Sequence, residues 1–194
     1  MSTTAIKQAA LHAFVRSGYD GTALSDIAQR VGLKTPSLYA HFQSKQELFL
    51  FTFEDVLREH TQAIQQVLEQ CQQQCDTTEA ILCRLLLEYC GGLQLGGERA
   101  AFLKRALLFP PRFLASGLKE RFLLMEQQLS EPLTAVFEAA LSAGQVRGWS
   151  VKELLTSYFY LMDGCFVQSY LYRRDAFDER LAAAWRIYWR GISR

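Results

Sequence analysis

The segment GLKTPSLYAHFQSK, residues 32–45, gathers one threonine and two serine hydroxyls, a proline, a tyrosine and a histidine between lysines. Hydroxyls at Thr35 and Ser37 can hydrogen-bond phosphate oxygens or base edges, and the ring of Pro36 offers an apolar surface to a thymine methyl. Tyr39 and His41 can reach a nucleic-acid backbone, and the ammonium of Lys45 can neutralise a phosphate. Upstream, Ser25 opens a second short helix whose first N–H groups can hold the opposite backbone wall. Phosphate contacts would fix position, and the few base-edge contacts would carry sequence preference. A short helix, a glycine turn and a second short helix also occur in proteins that bind no DNA. There Tyr39 is ordinary packing and His41 an ordinary surface residue.

These side chains depend on the helices that carry them. TTAIKQAALHAFVRSGYDG begins with cap-capable Thr3 and Thr4, spaces Ile6, Ala9, Ala10, Ala13 and Phe14 along one face, and stops at Gly18. ALSDIAQRVG places Leu24, Ile27, Ala28 and Val31 inward and ends at Gly32, a residue suited to a left-handed cap. A third short helix is expected over Thr35 to Phe42, because Pro36 is harmless only in a first turn and Leu38, Tyr39 and Phe42 follow at helical spacing. In a helix-turn-helix, Leu38 and Phe42 would pack against Phe14, Ile27 and Val31 and leave the polar set outward.

From residue 46 a long helix runs through the glutamine-rich stretch QQVLEQCQQQC, whose glutamines read as a solvated face. TTEAILCRLLLEYCGGLQLGG is a further helix, loosened at Gly91 and Gly92, and ERAAFLKRALLF is a shorter one closed by Pro110 and Pro111. Pro132 should bend or interrupt the helix that contains it. Two more helices complete an all-α protein of about nine, with residues 1–46 as a three-helix DNA-binding head and residues 47–194 as a ligand-binding and dimerisation domain.

Composition narrows the classes. Hydrophobic residues make up 49% of the 194, with thirteen Phe and eight Tyr, which excludes a disordered chain. The net charge of +1 is uninformative as a whole, but residues 1–50 carry five Lys/Arg against three Asp/Glu, so a polyanion-binding surface has to be local. The five cysteines are odd in number and lie in apolar helical patterns, which fits free thiols in a reducing cytoplasm. Apolar runs are broken by charge before the roughly 20 residues that span a bilayer, so a cytoplasmic protein without membrane association is expected. His12, His41 and His60 are not grouped like a zinc site, and neither a phosphate-cradling loop nor a nucleophile motif is present, so neither enzymatic activity, a metal nor a cofactor is expected.

AALHAFVRSGYDGTALSDIAQRVGLKTPSLYAHFQSKQELF resembles the TetR/AcrR family of helical transcriptional regulators across residues 5–50. The resemblance implies a homodimer that binds a pseudo-palindromic operator in double-stranded DNA, acts as a repressor and is released by a small effector. It matches Thr35, Pro36, Ser37, Tyr39, His41 and Lys45 to operator-contacting positions, with Ser25 on the supporting helix and Lys34 at the turn. Pro36 replaces a glycine frequent in the family, and Ala40 a larger aromatic.

The remaining two-thirds is read from its residues. Phe53, Leu57, Phe102, Phe122 and Met125, together with Tyr89, Cys90, Phe159, Met162 and Phe166, suit a pocket for a largely apolar effector, or they are plain core. Gln94 and Asp163 are the polar groups beside them, and Asp163 must reach a cation, a donor or solvent. Phe177, Leu181, Ala184, Trp185 and Tyr188 form one apolar stripe, and Leu154, Tyr158, Leu161 and Cys165 another. The two stripes either build a twofold four-helix interface or close the monomer's own core. A helical protein-interaction or small-molecule-binding module without specific DNA binding is the alternative function.

Overall fold

The structure is a computed structural model and describes residues 3–75, 77–91 and 97–194. Among the described residues the chain forms nine helices: α1 (Thr3–Ser17), α2 (Leu24–Arg30), α3 (Thr35–Tyr39), α4 (Lys45–Gln74), α5 (Thr78–Gly91), α6 (Gly97–Leu108), α7 (Ala115–Ser142), α8 (Val151–Leu171) and α9 (Arg174–Ile192). They divide into two compact units, Met1–His60 with Gln94–Met125, and Thr61–Leu93 with Glu126–Arg194. The packing therefore does not divide at residue 46: the three short helices share a unit with the start of α4, with α6 and with the start of α7.

In the first unit, Ile6, Ala10, Phe14, Ile27, Leu38 and Leu48 are sealed from solvent, as the periodicity requires. Aromatic rings extend this core, with Phe14 edge-on to Phe49 at 4.9 Å and Phe49 edge-on to Phe102 at 5.3 Å. Gly18 and Gly32 take φ of +70° and +71°, the left-handed conformation that ends α1 and turns the chain out of α2. After Gly32 the Leu33 N–H returns to the Ala28 carbonyl at 2.8 Å, which fixes the turn into α3. Thr22 pins the α1–α2 connection by donating its hydroxyl to the Gly18 and Ala13 carbonyls at 2.6 and 3.1 Å.

Two sequence expectations change here. The third helix ends at Tyr39, not at Phe42. The Phe42 N–H still bonds the Leu38 carbonyl and Phe42 stays buried, but the chain then turns to start α4, where the Ser44 hydroxyl accepts from the Glu47 N–H at 3.1 Å. Pro132 does not interrupt α7, which runs unbroken through it. Nearby, Ser130 and Thr134 donate their hydroxyls back to the Glu126 and Ser130 carbonyls at 2.9 and 2.8 Å, while the carbonyl that Pro132 deprives of an N–H partner is that of Gln128. Gly92, expected to loosen α5, lies outside the described residues, as does Gln94.

In the second unit α5 and α9 both pack on α8. Tyr158 is wholly buried there, with its hydroxyl donating to the Leu82 carbonyl at 2.7 Å. Ser150 and Glu153 form a reciprocal capping box that starts α8.

Candidate nucleic-acid interface

α3 is only five residues long, and its conformation follows from local chemistry. Lys34 is extended at the N-cap position, Pro36 occupies the first turn, and the Ser37 N–H closes that turn on the Lys34 carbonyl at 2.9 Å. Leu38 is fully buried and anchors the helix. Lys34, Pro36, Ser37, Tyr39 and His41 are exposed and Thr35 is half-buried, so one side of the α3 segment is core and the other a solvent-facing set of hydroxyl, ring and cationic groups. Ser25, also exposed, lies in the first turn of α2, where its hydroxyl donates to Asp26 at 3.3 Å.

Lys45 is engaged within the head. Its ammonium donates to the Tyr19 and Thr22 carbonyls at 2.9 and 3.0 Å and lies 4.5 Å from the centre of the Tyr19 ring. Two of its three donors thus tie the start of α4 to the α1–α2 turn. Tyr19 is in turn held between Phe49 and Phe113, each edge-on at 5.3 Å, and burial followed by the nearby Asp20 carboxylate raises its phenol pKa. Tyr19 and Thr22 are positioning residues that sequence reading missed. Their signal was the capping glycine at Gly18 followed by a hydroxyl four residues later.

The residues expected to line an effector pocket divide between the two units. Phe53, Leu57, Phe102, Phe122 and Met125 belong to the first, where Phe53 and Phe102 are buried in the aromatic core with ring centres 6.5 Å apart. Tyr89, Cys90, Phe159, Met162, Asp163 and Phe166 belong to the second. There Met162 is buried, and Tyr89 packs on Phe166 at 5.9 Å. Phe159 and Asp163 instead line an open groove of about 650 Å³ between α7 and α8. Asp163 resolves the choice posed by its sequence setting: it is exposed to solvent, and partial burial together with the Glu126 carboxylate raises its pKa.

The two stripes read as interface surfaces are largely internal. Leu154, Tyr158, Cys165, Phe177, Leu181 and Trp185 are buried within their own unit, and Leu161, Ala184 and Tyr188 are half-buried. Tyr188 packs on both Tyr158 and Trp185, at 6.1 and 5.8 Å. The apolar residues that α8 and α9 leave outside are Tyr160, Leu171 and Ile187, at 76%, 65% and 71% exposure. The helical period does not single out the buried face here, because α8 is apolar around most of its circumference.

No described helix is long and apolar enough to cross a membrane. Residues 6–50 match the profile of the bacterial regulatory proteins of the tetR family. Over 40 residues the chain is 50% identical to IcaR, the negative transcriptional regulator of the biofilm operon icaADBC in Staphylococcus aureus strain Newman, a stretch covering 21% of this chain and 22% of IcaR. The match thus spans about a fifth of the curated relative's length. The fold aligns with a TetR transcription regulator from Haloarcula marismortui at a TM-score of 0.76 and 20% identity, covering 99% of this chain and 98% of that one. It also aligns with FadR from Bacillus subtilis, solved in complex with stearoyl-CoA, at a TM-score of 0.69 and 15% identity, covering 97% and 96%. Residues 6–50 thus carry the amino-terminal domain of the tetR family of bacterial regulatory proteins, and the chain as a whole shares the all-helical fold of these structures.

Proposed function

We propose that the protein is a ligand-responsive transcriptional regulator, a repressor that binds a pseudo-palindromic operator as a homodimer and leaves it when a small, largely apolar effector binds. The observation that carries this reading is α3: five residues anchored by buried Leu38, with Lys34, Pro36, Ser37, Tyr39 and His41 turned to solvent. Such a helix can enter a major groove with Ser37 and Thr35 at base edges and Tyr39, His41 and Lys34 at the backbone. Lys45 serves chiefly by fixing the α1–α2 turn, and its remaining donor is what it can offer a phosphate. Residues 1–46 act as the reading head, and residues 47–194 supply the effector and dimer functions.

Support for dimerisation comes from the uncovered faces of α8 and α9. Tyr160, Gly164 and Leu171 recur along the exposed side of α8, and Gly164 has nothing within 4 Å of an added Cβ, leaving room for another helix. An effector acts only through a difference in affinity between the conformations that can and cannot bind the operator.

The test is selection of genomic DNA fragments by the purified protein at two salt concentrations. Specific binding persists as salt rises while phosphate-driven background weakens. Recovery of one pseudo-palindrome, lost in Tyr39→Ala with the fold retained, is the expected result. A folded protein that enriches no sequence would overturn the reading and favour a helical binding module.

A further inference from the structure

The first unit contains a cavity of about 190 Å³ that shares only Phe102 with the residues expected to line an effector pocket. It lies where the end of α1, the α1–α2 turn, the start of α4 and the end of α6 meet the following Pro110–Pro111 segment. Phe14, Tyr19, Phe49 and Phe102 supply its aromatic walls, and Arg105 and Asp20 its charged groups. The walls are held in place by each other: Phe14 and Tyr19 stack at 6.3 Å, and both meet Phe49 edge-on. An aromatic ring entering this space would find edges and faces already set at the angles that ring pairs favour.

Arg105 makes the space more than a packing gap. Its Nη1 donates to the Val15 carbonyl at 3.2 Å, and its guanidinium lies so close over Gly18 that an added Cβ there would sit 2.5 Å from Nη2. Among the described residues no carboxylate forms an ion pair with it, although a guanidinium carries five donors in a fork that fits a carboxylate. Phe109, on the cavity rim, is 79% exposed. A charged fork on one wall, an uncovered ring at the mouth and aromatic walls inside are the combination that orients a small ligand with one apolar and one anionic end.

We propose that this cavity is a binding site for a small planar aromatic carboxylate, its ring among Tyr19, Phe49 and Phe102 and its carboxylate on Arg105. The volume fits one ring, since an apolar cavity of about 150 Å³ accepts benzene. Asp20 is exposed and sets the opposing preference, for a cation, so charge sign is the feature to test. The proposal is independent of DNA binding and is read without an operator.

The experiment titrates benzoate into the full chain by ligand-observed NMR and calorimetry, alongside cyclohexanecarboxylate, benzyl alcohol and benzylamine. Benzoate is expected to bind at least tenfold more tightly than each of the other three. Arg105→Gln should abolish that preference while leaving the melting curve close to wild type. Because Arg105 also contacts Val15, a second variant, Ala106→Leu, fills the cavity from a buried position and should block benzoate with Arg105 intact. No binding of benzoate, binding unchanged by both variants, or tighter binding of benzylamine would each overturn the assignment.

Discussion

The α2–α3 head and the α8–α9 region differ in how far helical spacing fixes the buried side: along α3 it does so completely, along α8 it does not. α3 is so short that burying Leu38 fixes the outward direction of almost every other side chain. α8 has 21 residues and apolar groups on several faces, and the face it buries depends on what α5 and α9 bring to it. Periodicity finds a face only where a single face is apolar.

The contrast is broken most severely at Leu38. Leu38→Ala is expected to cost about 2–5 kcal/mol and to abolish operator selection, whereas Phe159→Ala, at a half-buried position, should cost clearly less. Urea unfolding of the two variants measures this, and equal losses would mean that the head is no more dependent on its anchor than the second unit is on a groove residue. A further large effect lies at His60, whose pKa burial lowers to about 4. The unfolded chain takes up that proton first, so the stabilisation is complete above about pH 6.5 and is lost as pH falls toward 4, by an amount on the order of 3 kcal/mol. Replacing His60 with Gln should flatten unfolding free energy against pH across that window.

In the second unit, Tyr158→Phe leaves the Leu82 carbonyl without its 2.7 Å donor. A loss of about 1–2 kcal/mol in stability is expected, with the selected DNA sequence unchanged. An altered sequence would mean that this core sets the head's preference. The finest distinction separates two lysines of the head. Lys34→Met should lower the salt dependence of operator binding by about one phosphate contact, while Lys45→Met should leave the slope nearly intact and lower the melting temperature. A reduced slope for Lys45 would return it to the phosphate.

Local rules sufficed wherever one residue type admits one solution. Gly18 and Gly32 take the left-handed turns their positions announced, Pro36 occupies a first turn, and Leu38 is core. They failed where a partner from a distant segment chose the outcome. The intrachain bonds of Lys45 were not legible because the Tyr19 and Thr22 carbonyls, more than twenty residues earlier, are invisible as acceptors in a sequence. Pro132 was expected to bend or interrupt its helix from its missing N–H alone, and α7 nonetheless continues through it. Whether Phe53 and Phe102 line a pocket or form plain core was left open by the sequence, because a ring has the same periodicity whether it meets a ligand or another ring.

The sequence by itself determined the all-helical class, the three short helices and the split of α3 into an anchoring and a presented side, since each follows from residue type and spacing within a few turns. Tertiary structure alone decided which faces of α8 and α9 remain uncovered, where Lys45 places its charge, and that Arg105 stands over an aromatic cavity. Those outcomes depend on pairs of groups far apart in the chain, and hydrophobic burial, being non-directional, does not specify the pairs until the helices have packed.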